Sequence, residues 1–270
     1  MLPQHLTHQL SILQLHNYFC GHIMALIHSF EEEGNWLFKR RGQIPVVLFL
    51  LAIPAVYYSD YAIIYPPKAQ LTGMVAMVVS VLGAIVRAYT IGTTPKGTSG
   101  RNTEEQVAEV LNSTGIYSMV RHPLYLGNYL MWIGIVIFTL NASFVIIVSL
   151  LYWIYYERIM FAEERFLEKK FGQQYLDWSL KAPAFIPALC KFVKPDVPFS
   201  MISVLRREYS GWLATVIGYV FVHVLQQYFT YDTFKISDEW LCALIAAVAV
   251  TVVLRLLKHY TGVLKEEGRS

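Results

Sequence analysis

The chain has 270 residues, is 55% hydrophobic and only 15% charged, and carries a formal net charge of +3. Soluble domains run at roughly 45–50% apolar and about 25% charged residues, so a mean hydropathy of +0.42 excludes water as the main solvent. The small positive charge reflects topology, as the distribution below shows, and excludes nucleic acid as a partner.

Residues 1–43 hold five of the eight histidines, His5, His8, His16, His22 and His28, interleaved with Leu, Ile and Phe and closed by Glu31, Glu32 and Glu33. No second cluster of Cys, His or Asp completes a metal site, so no metal is expected, and the segment reads as an amphipathic helix in the membrane interface. The first apolar run starts only at residue 44 and has no small-residue cleavage site, so the N-terminus is expected to stay attached.

Apolar runs near the ~20 residues that cross a bilayer lie at 44–60, 71–91, 124–140, 142–156, 211–229 and 240–257. The expected fold is an all-α integral membrane protein with about six transmembrane helices. The third and fourth runs are short and meet at Asn141, which predicts a tight helical hairpin. Nineteen Lys and Arg fall on one side of these spans, against Lys68 and Lys235 on the other. The positive-inside rule then places both termini and the long connections in the cytoplasm. Arg87, about a turn from the cytoplasmic end of the second run, reads as a side chain snorkelling to headgroups, with a pocket role as the alternative.

The connection 92–119 contains Pro95, Gly97, Gly100 and Gly115. Thr103 followed by Gln106 predicts a capped surface helix within it, and its glycines lack nucleotide-loop order. Residues 157–170 continue the fourth helix into water. Pro183, Pro187, Pro195 and Pro198 then impose a lid-like irregular segment. Cys20, Cys190 and Cys242 have no ligand-like spacing and read as reduced and structural. Four parts result: an N-terminal interfacial segment 1–43, two spans in 44–91, a core at 92–187, and two further spans in 188–270.

Two polar clusters flank the short hairpin. Before it stand Gly115, Tyr117, Arg121, His122, Pro123, Leu124, Tyr125, Gly127 and Asn128; after it stand Glu157, Arg158, Glu163, Glu164, Leu167, Phe171, Gly172 and Tyr175. Antiparallel helices return the chain to its starting side, so Arg121 and His122 must face Glu163 and Glu164. Charged groups at a membrane boundary are costly unless paired or used. Adjacent glutamates point about 100° apart on a helix, which predicts separate partners for Glu163 and Glu164. Tyr152, Tyr156, Glu163 and Leu167 share one stripe and suit a pocket wall.

The pattern G-x-Y-x-x-x-R-H-P-x-Y-x-G at 115–127, an apolar hairpin, and E-E-x-x-L-x-x-x-F-G-x-x-Y at 163–175 resembles the isoprenylcysteine carboxyl methyltransferase and phospholipid methyltransferase superfamily of integral membrane enzymes over about residues 70–187. The resemblance implies a membrane methyltransferase that takes S-adenosyl-L-methionine from the cytosol and a lipid or lipid-attached acceptor from the bilayer. It further implies cofactor contacts from Tyr117, Arg121, His122, Pro123, Leu124, Tyr125 and Glu163, with backbone bonds from Glu109, Val110, Leu111 and Asn112. Members often carry an Arg four residues before the first Glu of the pair. Ile159 stands there and Arg158 precedes it, so Arg158 is the candidate for orienting an anionic acceptor.

The reaction so implied is in-line displacement at the sulfonium methyl by a carboxylate, phosphate or amine headgroup, requiring positioning and desolvation but neither metal nor covalent intermediate. Glu164 or Glu157 is the expected proton acceptor for an amine. Membrane sterol and steroid reductases, which use NADPH, resemble the R-H-P-x-Y-x-G element too. The twin carboxylates disfavour that reading, being poor company for an extra phosphate. A scaffold or transporter is disfavoured because the polar residues cluster at one boundary and not mid-bilayer.

Overall fold

Apolar runs of this length fold as helices because a bilayer leaves no water to satisfy backbone groups. The computed structural model, which describes residues 26–43, 45–59, 66–95, 108–266 and 268, has a helix at each of the six. Its helices are α1 (Leu26–Lys39), α2 (Pro45–Tyr57), α3 (Pro66–Gly92), α4 (Pro123–Phe138), α5 (Ala142–Phe171), α6 (Gln173–Ser179), α7 (Met201–Tyr231) and α8 (Asp238–Tyr260). No strand occurs among the described residues, where a single bridge joins Gly115 to Val193.

Four of these helices, α3, α5, α7 and α8, are long and apolar enough to cross a membrane. The other two apolar helices are shorter, 13 residues in α2 and 16 in α4, or roughly 20 and 24 Å at 1.5 Å per residue. The predicted surface helix at Thr103, the residues His5, His8, His16 and His22, and Cys20 lie outside the described residues. Cys190 and Cys242 are free and exposed.

Local sequence sets the helix ends. Pro123 opens α4, where its missing N–H costs nothing. The Asn141 side chain accepts from Phe144 N at 2.9 Å and starts α5. Gly172, at φ +53°, ends α5, with its N–H on Glu168 O at 2.9 Å. The hairpin link is three residues, Thr139 to Asn141, and not a single Asn as the sequence predicts. Leu140 turns it with φ +59°. Asn141 Nδ2 also donates to Ala55 O at 3.0 Å, which ties the hairpin to α2.

The helices α3 and α4 meet through small residues, the usual route to close approach where lipid supplies no hydrophobic drive. A Cβ at Gly83 would lie 2.6 Å from Gly127 O, and one at Gly134 would lie 2.5 Å from Ala76 O. Ser80 Oγ, on the same α3 face, donates to Met131 O at 2.8 Å. Towards the other end of the bundle α8 stacks Trp240 on Tyr219 of α7 at 5.6 Å, while most of its remaining surface is exposed and apolar.

Candidate functional site

The hairpin brings its two flanking clusters into contact. Arg121 closes a fork on Glu164, with Nε to Oε1 at 2.9 Å and Nη2 to Oε2 at 3.2 Å. His122 Nε2 lies 2.9 Å from the same Oε1. Its Nδ1 stands 3.5 Å from Glu163 Oε2, and the Tyr125 hydroxyl donates to Glu163 Oε1 at 2.8 Å. The two glutamates therefore do share a partner, contrary to the expectation from helix geometry. An imidazole presents nitrogens on opposite edges, so one ring can span side chains that diverge along the helix.

These charges set the protonation of His122. Burial opposes its cation, but bonds and charges from Glu163 and Glu164 outweigh burial and hold its pKa above the usual histidine value. Tyr175 is held neutral, first by burial and then by the adjacent Glu164 carboxylate.

The proline-containing segment after α6 clamps this cluster. Arg121 Nη1 donates to Ser179 O at 2.8 Å and Ala182 O at 2.7 Å. Arg121 N bonds Pro183 O at 2.8 Å, His122 N bonds Ala184 O at 3.2 Å, and Ala188 N bonds Met119 O at 2.9 Å. Trp178 Nε1 donates to Tyr117 O at 3.0 Å. The segment read as a lid is thus bonded along its length to the Arg-His-Pro stretch.

The tyrosines of the stripe belong to a buried cluster. Tyr125, Tyr152 and Tyr156 pack with Phe38, Ile159 and Met160. Tyr156 stacks on Tyr152 at 4.1 Å and lies 4.7 Å from Tyr125, while the Tyr152 hydroxyl donates to Tyr125 O at 2.7 Å.

Arg87 does not snorkel. It makes a two-point ion pair with Glu208 of α7, at 2.7 Å for both bonds, and Nη1 donates to Asn128 Oδ1 at 2.6 Å and to Leu124 O at 3.4 Å. Glu208 is 1% exposed. Nothing in the apolar pattern announces this partner, because Glu208 sits ahead of the run at 211–229; only its being a lone acid in a stretch entering the membrane marks it.

The remaining predicted residues are more dispersed. Leu111 is buried with Tyr175, Trp178 and Ala182, and Tyr117 packs against them. Asn112 Oδ1 accepts from Thr114 N at 3.4 Å, Pro123 is buried, and Glu109 and Val110 are exposed. Arg158 is engaged by α1: its Cζ stands 3.4 Å from the Phe30 ring centroid, with Nε 3.3 Å from Glu33 and Nη1 3.4 Å from Glu157. Glu157 is exposed on the outer edge of α5.

Residues 69–174 match the phospholipid methyltransferase family. The chain is 30% identical over 160 residues to a nickel-cobalt-cadmium resistance protein of Alcaligenes xylosoxydans xylosoxydans, covering 59% of this chain and 66% of that one. It is 29% identical over 119 residues to the protein-S-isoprenylcysteine O-methyltransferase of Tribolium castaneum, covering 42% of this chain and 41% of that one. It is 32% identical over 85 residues to the Saccharomyces cerevisiae protein of the same name, covering 32% and 36%. The chain thus spans under two thirds of the length of these relatives. No solved structure matches it. Both polar clusters fall within the matched residues or at their edge, and over this region the chain is similar to the phospholipid methyltransferase family and to isoprenylcysteine O-methyltransferases.

Proposed function

We propose that this protein is an S-adenosylmethionine-dependent methyltransferase of the membrane, with its cofactor site on the cytoplasmic face beside Glu163 and its acceptor a lipid or lipid-attached group drawn from the bilayer. The observation that carries the reading is the convergence of Arg121, His122 and Tyr125 on Glu163 and Glu164, within the stretch that matches the phospholipid methyltransferase family.

The donor set fits the cofactor. Glu163 is one-quarter exposed and each of its oxygens meets one protein partner, leaving lone pairs for the amino group or ribose hydroxyls of S-adenosylmethionine. Tyr125 and His122 hold that carboxylate in place. The packed rings of Tyr125 and Tyr156 back this carboxylate with an apolar wall. When bound, the cofactor supplies an already activated methyl group, so positioning and exclusion of water suffice for transfer.

Glu164 is committed to Arg121 and His122, so its role is to position the Arg-His pair and not to remove a proton. Leu111 and Tyr117 pack beside Tyr175 and border this cluster, and Pro123 opens the helix that carries Leu124 and Tyr125. Arg158 and Glu157 hold α1 against α5.

The test is transfer. The purified full chain, incubated with tritium-methyl S-adenosylmethionine and a membrane lipid extract, should place label in an extractable lipid, and Glu163→Gln should abolish most of it. Label confined to water-soluble products, or equal labelling by the variant, would overturn the reading.

A further inference from the structure

The irregular segment from Leu180 to Phe199, between α6 and α7, carries its apolar side chains outward. Leu180 is 85% exposed, Ile186 78% and Leu189 75%, and Phe192, Val193 and Phe199 are exposed as well. Its backbone is bonded to the protein instead. Val193 O accepts from Gly115 N, Ala188 N donates to Met119 O, and Pro183 O and Ala184 O accept from Arg121 N and His122 N. Val193 N adds a bond to Ser118 Oγ at 2.8 Å. The segment is a strap laid along residues 115–122, with polar groups satisfied on one side and exposed apolar side chains left over.

Phe185 fixes the depth of the strap. Its ring packs edge-on against Tyr129 of α4 and Trp153 of α5, at 5.9 Å from each. Tyr129 lies between one and two turns into α4, or about 9 Å along the axis from Pro123. Trp153, Leu150 and Ile154 are exposed on α5, a helix long and apolar enough to cross a membrane. At its other end the strap runs through exposed Phe199, Met201 and Ile202 into α7, a second such helix. The exposed apolar residues of the strap are therefore continuous with the lipid-facing surface of two spans. Irregular backbone at this depth persists only where protein satisfies it, and the bonds to residues 115–122 do so.

Cations border these side chains. Lys181, Lys191 and Lys194 are exposed, with Lys191 Nζ donating to Lys181 O at 2.6 Å. The one acid of the segment, Asp196, accepts from Thr114 Oγ1 at 3.1 Å. Apolar side chains flanked by lysines suit the headgroup layer of an anionic leaflet, where the former enter the acyl boundary and the latter meet lipid charge.

We propose that residues 180–199 are a membrane-inserted strap whose partner is anionic phospholipid. Ile186, Leu189 and Phe192 enter the leaflet beside the Arg121–Glu164 cluster, and Lys181, Lys191 and Lys194 bind its headgroups. The leaflet thereby holds the strap, and the strap holds the backbone of Arg121 and His122.

The test uses the native Cys190, free and exposed between Leu189 and Lys191, in the full chain with Cys20→Ser and Cys242→Ser. The environment-sensitive dye NBD is attached to it, and the protein is placed in phosphatidylcholine vesicles containing phosphatidylserine. The dye should emit as in an apolar medium, be quenched by phospholipid carrying a nitroxide high on its acyl chain, and resist aqueous iodide. The same dye on Cys242 of α8, with Cys20→Ser and Cys190→Ser, calibrates the response of an exposed residue on a membrane-crossing helix. At equal low mole fraction, nitroxide-labelled phosphatidylserine should quench the Cys190 dye about threefold or more better than nitroxide-labelled phosphatidylcholine. Lys181→Glu together with Lys194→Glu, which spares the Lys191 bond, should abolish that preference. A Cys190 dye quenched freely by iodide and untouched by the acyl-chain nitroxide would overturn the insertion, and equal quenching by the two lipids in the unsubstituted strap would overturn the anionic partner.

Discussion

Arg87 and Glu208, 121 residues apart in the chain, form a two-point ion pair at 2.7 Å that fastens α7 to α3. Removing one member leaves a charge stranded at low dielectric, whereas removing both leaves none. Glu208→Ala is expected to destabilise the protein by about 3–5 kcal/mol, and the paired change Arg87→Met with Glu208→Leu to recover most of it. Thermal unfolding in detergent checks this, and a double variant as unstable as the single one contradicts it.

The α3 and α4 backbones approach too closely to admit a side chain at Gly134, where a Cβ would lie 2.5 Å from Ala76 O. Gly134→Ala is expected to cost about 1–3 kcal/mol through forced separation of the helices, and Gly134→Val more. Unfolding temperatures in the order wild type, Ala, Val would bear this out; equal values would mean that the helices can part freely.

His122 gives the structure a pH dependence of known sign. Its pKa is raised on folding because Glu163 and Glu164 favour the cation more than burial opposes it. The resulting stabilisation is fully present below the unfolded value of about 6.5 and is lost as pH rises through the higher folded value. The stability gap between wild type and His122→Gln should therefore be widest in mild acid and shrink towards alkaline pH. A gap that grows with pH would reverse the assignment.

The two glutamates should separate by phenotype. Glu163→Gln is expected to weaken S-adenosylhomocysteine binding by about tenfold or more, with a smaller loss of stability than Glu164→Gln because Glu163 forms no bond to Arg121. Glu164→Gln, which strips the carboxylate from Arg121 and His122, should instead lower stability by about 2–3 kcal/mol. Calorimetry and thermal unfolding on the same preparations distinguish them, and reversed phenotypes would exchange their roles.

What the residues announce in advance is what depends on local pattern. Apolar runs located six helices, and a short hairpin was enough to predict that Arg121 and His122 meet Glu163 and Glu164. Contacts between distant segments left no such trace. Glu208 lies just outside an apolar run, and its pairing with Arg87 follows only from how α7 packs on α3. Arg41 looks like one of several charges that orient the chain, and its position 3.8 Å from the ring centroid of buried Phe38 follows only from how α1 packs. Arg158 looks free because the sequence does not show α1 folding back over α5. The shared His122 escaped a rule about directions along a helix, since the rule treats a partner as a point and not as a ring with two nitrogens.

The most direct measurement is isothermal calorimetry of S-adenosylhomocysteine against the purified full chain, with NADPH titrated in parallel. Saturable binding of S-adenosylhomocysteine, weakened in Glu163→Ala, with no heat from NADPH, is the predicted result. Binding of NADPH in its place, or an affinity for S-adenosylhomocysteine indifferent to Glu163, would contradict it.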